Sequence, residues 1–421
     1  MNTYAIVGFG CAGYHAAKRL RELQPDAVIH VYEKTVRGGA NPMLTTYYAG
    51  SKITFDQMFP FGEMGEICRE LSLELKSDTV AAVHAQQRAV VTTDGMETAY
   101  DKILIATGAS ALLPAFIKVE GREVFLMRTV QEAETLKEYL AQHEVRSAAV
   151  IGASMVGIKV AELLHHRGIE THMLDAADRI FPLAAEPETA QQITEELEKQ
   201  GLHIHMGVRV SGANAEGVVF ADGAVLPADL VCLCIGTRAN TELAANVQVA
   251  EGQNIEIGRG IVVNTRMETT AEGIYAAGDC CEGINLQTGQ HMIIGLWANA
   301  AAQGQCAGSN MAGVTEEYYG SIPHNITRFF GMTFVGLGDP NLPGERRVFQ
   351  GRGVQVSIKE ADGQITGINL LGDCTVSGVL KSILLKKLGE APGGISTTQQ
   401  GLMEKAGLPK EFIAYLGGDR S

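Results

Sequence analysis

The sequence predicts an α/β protein that contains two copies of one strand–turn–helix unit, and three observations carry this prediction. Residues 4–20 (YAIVGFGCAGYHAAKRL) align with residues 148–164 (AAVIGASMVGIKVAELL), and each begins as a buried strand, turns through glycine and continues as a helix. Each copy is followed by a second strand that ends in an acid, Glu33 after VIHVY and Asp175 after ETHML. The 49 glycines and the aromatic content of only 6% favour many tight strand-to-helix turns over a β-sandwich.

Length and turn signals predict the organisation of the remaining chain. A chain of 421 residues is too long for one ordinary core and suggests two or three domains. Two more strands, KILIATGA and LVCLCIGTR, reach Gly108 and Gly236, and a turn at Asp94-Gly95 predicts a hairpin in a small β-meander. Further strands and a helix (GVLKSILLKKLG) occupy the last hundred residues, so we place domain boundaries near 112, 243 and 315.

Charge and composition exclude several classes of partner. The net charge of −14 opposes binding to phosphate backbones and anionic lipids, so we expect neither nucleic acid nor membrane as main partner. No apolar run approaches the roughly 20 residues that span a bilayer, and the N-terminus does not resemble a signal peptide, so we expect a cytoplasmic protein. The eight cysteines are scattered and form no C-x-x-C, which gives neither a zinc motif nor local iron–sulfur ligands.

The first glycine turn is a full G-x-G-x-x-G, running from Gly8 to Gly13. Gly8 permits the tight turn, Gly10 lets the backbone approach a pyrophosphate, and Gly13 lets the helix pack on the strand. The helix that follows presents free N–H groups and a positive dipole end to phosphates. Glu33, 20 residues after Gly13, is placed to accept hydrogen bonds from a ribose. These features predict a Rossmann-like dinucleotide-binding unit.

The second glycine turn, from Gly152 to Gly157, carries Ser154 where the middle glycine is expected. A dinucleotide still fits if the Ser154 side chain turns away or bonds a phosphate. Asp175 favours a free ribose 2′-OH and repels a 2′-phosphate, so NADH is preferred to NADPH. Arg179 lies near enough in sequence to accommodate that phosphate, although a salt bridge within its own loop is the alternative.

The order of the motifs resembles the pyridine nucleotide–disulfide oxidoreductase superfamily. The resemblance rests on GxGxxG, ILIATGA, VIGASMVGIKVAELL, CIGTRAN and TTAEGIYAAGD, and implies FAD in the first unit and NAD(H) in the second. It implies that Asp279 bonds the ribityl chain of FAD, and that the helix beginning near Trp297 and Ala298 faces the flavin. The predicted fold is α/β: an FAD domain (1–112 and 244–315), an NAD domain (113–243) and a C-terminal α+β interface domain (316–421).

Motifs and resemblance together predict a set of cofactor-binding residues. For FAD they are Gly8, Gly10, Cys11, Ala12, Gly13, Glu33, Lys34, Asn41, Pro42, Val80, Ala106, Thr107, Gly108, Gly278, Asp279, Trp297 and Ala298. For NAD(H) they are Gly152, Ser154, Met155, Val156, Gly157, Asp175 and Gly236. Hydride transfer between the cofactors requires no protein acid or base, and none is assigned.

The departures from the family pattern bear on the route of the electrons. Segment 37–52 (RGGANPMLTTYYAGSK), where disulfide reductases carry a redox cysteine pair, contains no cysteine, so we expect direct transfer from the flavin. Members without thiols resemble this chain around ANPMLTT, and there a lysine near the flavin pairs with a glutamate that matches Glu162. The lysine position is Thr46, and Lys52 could substitute only in a reshaped loop.

Other cysteines and histidines are predicted to be structural. The pairs Cys280-Cys281 and Cys232-x-Cys234 are interpreted as buried packing residues, with redox activity as the alternative for the adjacent pair. For His165-His166 and His203-x-His205 no carboxylate or cysteine stands at ligand spacing, so we expect solvent-facing histidines and no metal site.

The resemblance implies an FAD-dependent NAD(H) oxidoreductase. Within the family, VGFGCAGYHAA and ANPMLTTYYAG are most similar to NADH-linked flavoprotein subunits of anaerobic 2-oxoacid:acceptor oxidoreductases of the phenylglyoxylate dehydrogenase kind. This implies iron–sulfur, ferredoxin-like subunits in a hetero-oligomeric complex as partners, and the C-terminal region also allows a homodimer. A self-contained NADH:rubredoxin or nitrite-type reductase component and a slow-turnover structural or signalling flavoprotein are the alternatives.

Overall fold

Helices and strands alternate through most of the chain in the computed structural model, which describes residues 1–35, 37–245, 247–250, 253–389 and 394–418. The helices are α1 Cys11–Leu23, α2 Thr45–Ala49, α3 Met64–Glu70, α4 Val130–Gln142, α5 Met155–His165, α6 Pro187–Lys199, α7 Glu242–Ala245, α8 Trp297–Met311, α9 Ser377–Leu388, α10 Thr397–Lys405 and α11 Lys410–Gly417, with 3₁₀ turns at Pro42–Leu44 and Asp56–Met58. None of these helices is long and apolar enough to cross a membrane, as far as the described residues go.

Within the described residues the strands form eight sheets. In chain order they are β1 Thr3–Val7, β2 Val28–Tyr32, β3 Glu74–Lys76, β4 Val80–His84, β5 Ala89–Thr92, β6 Glu97–Ala99, β7 Lys102–Ile105, β8 Ala109–Ala111, β9 Lys118–Val119, β10 Ser147–Ile151, β11 Glu170–Asp175, β12 His203–Met206, β13 Val210–Ala213, β14 Gly217–Phe220, β15 Val225–Pro227, β16 Leu230–Leu233, β17 Thr237–Ala239, β18 Gln248–Ala250, β19 Gln253–Asn254, β20 Ile261–Val262, β21 Ile274–Ala276, β22 Cys281–Ile284, β23 His291–Met292, β24 His324–Phe329, β25 Met332–Gly338, β26 Glu345–Gln350, β27 Gln355–Ala361 and β28 Gln364–Leu371.

The first glycine motif lies in a five-stranded parallel sheet of order β21-β7-β1-β2-β3. The central residues of β1 and β7 are all apolar and buried. This composition suits a parallel sheet, in which both faces are covered by other elements. The chain passes from β1 through α1 to β2 on one side, and β7 pairs on the other side of β1. This reversal of strand order opens a crevice at the carboxyl ends, where α/β sheets bind ligands.

The second glycine motif lies in a four-stranded parallel sheet of order β12-β11-β10-β16. One of its faces packs on α5 and α6, and the other on the short sheet β15-β14-β13-β9. The two parallel sheets therefore repeat the same arrangement around β1 and β10, which confirms the mixed α/β fold predicted from the repeated motif.

The last quarter of the chain forms a five-stranded antiparallel sheet of order β24-β25-β28-β27-β26, covered by α9, α10 and α11. Strands were predicted at the positions of β24, β25, β27 and β28. Strand β26 and the last two helices were not predicted. The predicted hairpin at Asp94-Gly95 is present between β5 and β6.

Candidate functional site

A cavity of about 940 Å³ lies at the carboxyl ends of β1, β2 and β7. Most of the residues predicted to bind FAD line it: Gly8, Gly10, Cys11, Ala12, Glu33, Lys34, Asn41, Pro42, Ala106, Thr107, Gly108, Gly278, Asp279 and Trp297. Three others lie outside the lining: Gly13 lies within α1, Val80 in strand β4, and Ala298 is exposed in the first turn of α8.

The three glycines of the first motif have two roles. Gly8 and Gly13 allow close packing of the backbone, and Gly10 borders the cavity. Gly8 has a positive φ of +94°, and a Cβ placed on it would lie 2.5 Å from the carbonyl oxygen of Ala106. A Cβ on Gly13 would overlap the carbonyl oxygen of Gly8, so α1 can approach the end of β1 this closely only with glycine at this position. A Cβ on Gly10 would meet no protein atom within 4 Å and would instead occupy the cavity. This open position beside the N-terminus of α1 fits a bound pyrophosphate.

Glu33 follows β2 at the rim of the cavity. Its carboxylate accepts hydrogen bonds from the backbone N–H groups of Phe9 (3.1 Å), Lys34 (2.9 Å) and Thr35 (3.1 Å). These bonds tie the end of β2 to the glycine turn, so the acid and the turn face the same space. An acid in this position fits the ribose of a dinucleotide.

Asp279 forms an ion pair with Arg128, a residue that the sequence analysis missed. The Arg128 Nη2 atom lies 2.5 Å from Asp279 Oδ2, and the Arg128 Nε donates to the carbonyl oxygen of Ala109 at 3.2 Å. Both side chains are about four-fifths buried. The two residues are 151 positions apart, and no local motif marks Arg128, so only the tertiary structure identifies it.

A second cavity, of about 640 Å³, lies at the carboxyl ends of β10, β11 and β16. It is lined by six residues predicted to bind NAD(H): Gly152, Ser154, Met155, Val156, Asp175 and Gly236. Gly157 lies beneath the turn, where a Cβ would overlap the carbonyl oxygen of Gly152. The packing of the first glycine motif is thus repeated.

Ser154 replaces the middle glycine without closing the second site. Its hydroxyl donates to the carbonyl oxygen of Cys234 at 2.8 Å and accepts from the Gly157 N–H at 3.1 Å. The side chain thus turns away from the cavity and caps α5, which is a favoured role for serine. Of the two possibilities considered for Ser154, the structure supports the first.

Asp175 repeats the geometry of Glu33. Its carboxylate accepts from the N–H groups of Ala153 (2.7 Å) and Ala177 (2.8 Å), which fixes it at the glycine turn. Arg179 is engaged elsewhere, with Asp178 Oδ1 at 3.0 Å and Asn341 Oδ1 at 2.7 Å. The acid is available for a ribose diol, and the nearby cation is held by Asp178 and Asn341, which fits NADH better than NADPH.

Glu162 pairs with a lysine of its own helix. Lys159 Nζ lies 2.5 Å from Glu162 Oε2, whereas Lys52 Nζ lies 3.5 Å away, and the Phe330 N–H donates to the other oxygen at 2.8 Å. Burial alone would raise the pKa of Glu162, but the hydrogen bonds and the charges of both lysines outweigh burial and lower the pKa. Thr46 is buried, and neither it nor Glu162 lines either cavity.

The cysteines near the cavities are poor nucleophiles. Burial, aided by the charge of Asp279, raises the pKa of Cys11 to about 12, and burial with the charge of Glu132 does the same for Cys234. Cys280 and Cys281 are completely buried, as interpreted from the sequence, and burial raises the pKa of both thiols. All eight cysteines are free, and the four near the cavities have raised pKa values that disfavour the thiolate needed to relay electrons.

Comparison with known proteins agrees with this geometry. The family described as pyridine nucleotide-disulphide oxidoreductase matches residues 2–304. An NADH oxidase of Methanocaldococcus jannaschii is 28% identical over 346 residues, which cover 79% of this chain and 75% of that protein. The NADH-dependent phenylglyoxylate dehydrogenase subunit epsilon of Aromatoleum evansii is 26% identical over 406 residues, covering 92% and 93% of the two chains. The reductase fold in the covalent putidaredoxin reductase–putidaredoxin complex superposes with a TM-score of 0.80 at 20% identity, covering 96% and 99%.

Proposed function

Because the chain belongs to the pyridine nucleotide-disulphide oxidoreductase family, we propose that it transfers electrons between NAD(H) and an iron–sulfur partner protein. The family and its members make the chain an FAD-dependent NAD(H) oxidoreductase, with FAD and NAD(H) as its cofactors. The finer assignments, namely the partner, the direction of transfer and the individual binding residues, belong to the proposal.

One observation carries the proposal: the two cavities share a wall. Pro42, Met43 and Arg128 line both of them, so ligands bound in the two cavities approach each other at these three residues. When bound, FAD supplies the hydride and single-electron chemistry that joins a two-electron nicotinamide to a one-electron carrier. The division of labour predicted from the sequence, with an FAD domain at 1–112 and 244–315 and an NAD domain at 113–243, is part of the proposal.

The residues of the chain bind and orient the two cofactors. The open N-terminal turns of α1 and α5 hold the pyrophosphates, while Glu33 and Asp175 hold the riboses. Asp279 bonds the ribityl chain, and the ion pair with Arg128 fixes this carboxylate from the shared wall. No residue has to donate or accept a proton for the hydride exchange, so the contribution of the protein is position and charge.

Two facts support an iron–sulfur partner. The 421 residues contain no C-x-x-C motif for a cluster, and segment 37–52 contains no cysteine, which favours a one-electron carrier that brings its own cluster. The Aromatoleum evansii relative, aligned over almost its whole length, is named as a subunit of an NADH-dependent dehydrogenase. We place this chain in the same role, as the NAD-linked subunit of a 2-oxoacid:acceptor oxidoreductase complex.

The test is an anaerobic titration of the FAD-loaded chain, followed through the absorbance of the oxidised flavin. NADH is expected to bleach the flavin rapidly and NADPH only slowly, because Asp175 repels the 2′-phosphate. A ferredoxin is then added to the reduced protein, and its reduction is expected to restore the oxidised flavin.

Three results would point elsewhere. Reoxidation by rubredoxin but not by ferredoxin would favour the self-contained reductase. Rapid reoxidation by dioxygen alone would favour an NADH oxidase, the activity for which the Methanocaldococcus jannaschii relative is named. Failure of both nucleotides to bleach the flavin would overturn the electron-transfer proposal and favour a structural flavoprotein.

A further inference from the structure

Four polar side chains gather at the open edge of the second parallel sheet, away from both cavities. Strands β11 and β12 pair in parallel there, with His172 opposite His203 and Leu174 opposite His205. Since alternate residues of a strand share a face, Glu170 and His172 project from the same side of the sheet as His203 and His205. That side lies opposite to helices α5 and α6, and β12 is the last strand of the sheet.

The ligand atoms of this cluster converge. Glu170 Oε1 lies 3.6 Å from His172 Nε2 and 3.6 Å from His203 Nε2. One ligand atom from each of these three residues lies within 4.8 Å of the other two. The rings of His172 and His203 are stacked, with centroids 4.6 Å apart and planes inclined by 18°. Two imidazole nitrogens and a carboxylate oxygen thus face one small space.

A fourth residue supports the first three. His205 Nε2 lies 3.1 Å from His172 Nδ1, so the ring nitrogen of His172 that faces away from the carboxylate has its own hydrogen-bond partner. Metal-binding histidines are usually held in this way, since a bond to one nitrogen fixes the tautomer that leaves the other free to coordinate.

From this geometry we infer that Glu170, His172 and His203 bind a divalent transition metal of the zinc class, and that His205 orients His172. Neutral imidazole nitrogens and a carboxylate oxygen are ligands that zinc accepts, with a water completing the shell. His172 is only 13% exposed and is held in place, whereas Glu170 and His203 are 60% and 50% exposed and are free to close on the ion.

The inferred site differs from the expectation drawn from the sequence. His203-x-His205 has no carboxylate or cysteine at ligand spacing along the chain, but strand pairing brings Glu170 and His172 beside it. The ion would clip β12 to β11, the strand that ends at Asp175. The site would therefore stabilise the edge of the sheet that carries the acid at the second cavity.

Cobalt(II) titration of the tag-free, FAD-loaded chain tests the inference, because Co²⁺ takes zinc sites and absorbs visibly. We expect one equivalent to bind saturably, zinc to displace it, and the melting temperature to rise with zinc. Saturable cobalt binding and the rise in melting temperature with zinc should disappear in His203→Ala and in Glu170→Ala. His205→Leu should weaken cobalt binding about 10- to 100-fold. Flavin absorbance and the melting curve without metal show whether each variant is folded.

The matched control is the other histidine pair. His165→Ala with His166→Ala should leave stoichiometry and affinity unchanged, because these residues lie at the end of α5 and outside the cluster. Absence of saturable binding to the unaltered chain would overturn the inference. So would unchanged binding in His203→Ala, or a thiolate-to-cobalt absorption band, which would assign the ion to the partly exposed Cys68 or Cys374.

Discussion

Gly8 and Gly10 are two positions apart, but each is required for a different reason: Gly8 for the packing of the chain and Gly10 for the approach of the cofactor. Gly8→Ala would place a methyl group 2.5 Å from the Ala106 carbonyl oxygen at a φ of +94°, and should lower the free energy of unfolding of the FAD-free chain by about 1–3 kcal/mol. Gly10→Ala meets no protein atom within 4 Å, so this variant should be as stable as the unaltered apoprotein while binding FAD much more weakly.

Chemical denaturation of the apoproteins and FAD titration by fluorescence quenching separate the two effects. Each variant serves as the control for the other, because both add one methyl group to the same turn. Equal FAD affinity in Gly10→Ala and the unaltered chain would show that the pyrophosphate does not approach this backbone.

Asp175 sets the preference for the nicotinamide cofactor. Asp175→Ala removes hydrogen bonds from a charged acceptor to the ribose, worth about 1.5–3 kcal/mol, so the KM for NADH should rise about 10- to 100-fold. The KM for NADPH should change less or fall, because the repulsion of the 2′-phosphate disappears with the charge. Steady-state diaphorase assays with a dye acceptor give both constants.

Asp178→Ala is the matched control for this position. Asp178 is exposed, lies three residues away, and forms an ion pair with Arg179. Its removal should leave the preference for NADH in place, because Arg179 keeps its bonds to Asn341 Oδ1 and to the carbonyl oxygens of Pro182 and Ala185. A loss of NADH preference equal to that of Asp175→Ala would place the specificity in the loop instead of the strand.

At the scale of the elements, the features predicted correctly from the sequence are those that short stretches of residues determine. Both strand–glycine–helix units and the acids at Glu33 and Asp175 follow from short-range patterns, and the structure contains them. Contacts between distant elements left no such pattern: Arg128 meets Asp279 across 151 residues, and Lys52 reaches Glu162 across 110 residues.

The elements missed in the last domain have a physical explanation as well. Strand β26 (ERRVFQ) lies at the edge of its sheet with most side chains exposed, so it lacks the buried alternation that identifies a strand. The short helices α10 and α11 gain their stability from packing against that sheet, which a local window of sequence does not contain.

Strand β24 and helix α9 bring together two basic groups, His324 and Lys381. Burial, with the charge of Lys381, lowers the pKa of His324 to about 4, while a histidine in an unfolded chain titrates near 6.5. Above about pH 6.5 the ring is neutral in both states. As pH falls from there to about 4, only the unfolded chain gains the proton, so stability should decline through this window.

His324→Phe should flatten this decline, since the variant no longer titrates there. Urea unfolding at several pH values between 4 and 7, followed by a probe in the C-terminal sheet, measures how steeply the free energy of unfolding falls with pH. His291→Phe, at an exposed histidine, should leave the slope unchanged. An equal slope in His324→Phe and the unaltered chain would contradict the prediction.

At the scale of the whole molecule, a buried carboxylate joins the second parallel sheet to the antiparallel one. Glu186 is 2% exposed and lies just before α6; its Oε2 accepts from Arg346 Nε at 2.9 Å and from the Ser357 hydroxyl at 2.8 Å. Arg346→Gln would leave this charge without its cation, so it should destabilise the protein by about 3 kcal/mol.

Differential scanning calorimetry measures this loss without assuming a single transition. Glu186→Gln combined with Arg346→Gln should be less destabilising than Arg346→Gln alone, because the uncompensated charge is then absent. Arg352→Gln, at an exposed arginine of the same domain, is the control and should leave the melting curve unchanged. Additive effects of the two substitutions would show that the residues do not act as a pair.

The order of strands also sets the order in which the ribosome can complete the sheets. All four strands of the second parallel sheet lie within residues 147–233, whereas the first sheet ends with β21 at Ile274–Ala276. Helix α8, which packs on α1 through Gly304 and Ala12, is synthesised later still. The second sheet can therefore close while the N-terminal strands wait for their last partner. Until residue 276 has left the exit tunnel, one edge of β7 stays unpaired, and an unpaired strand edge is a site where nascent chains misassociate.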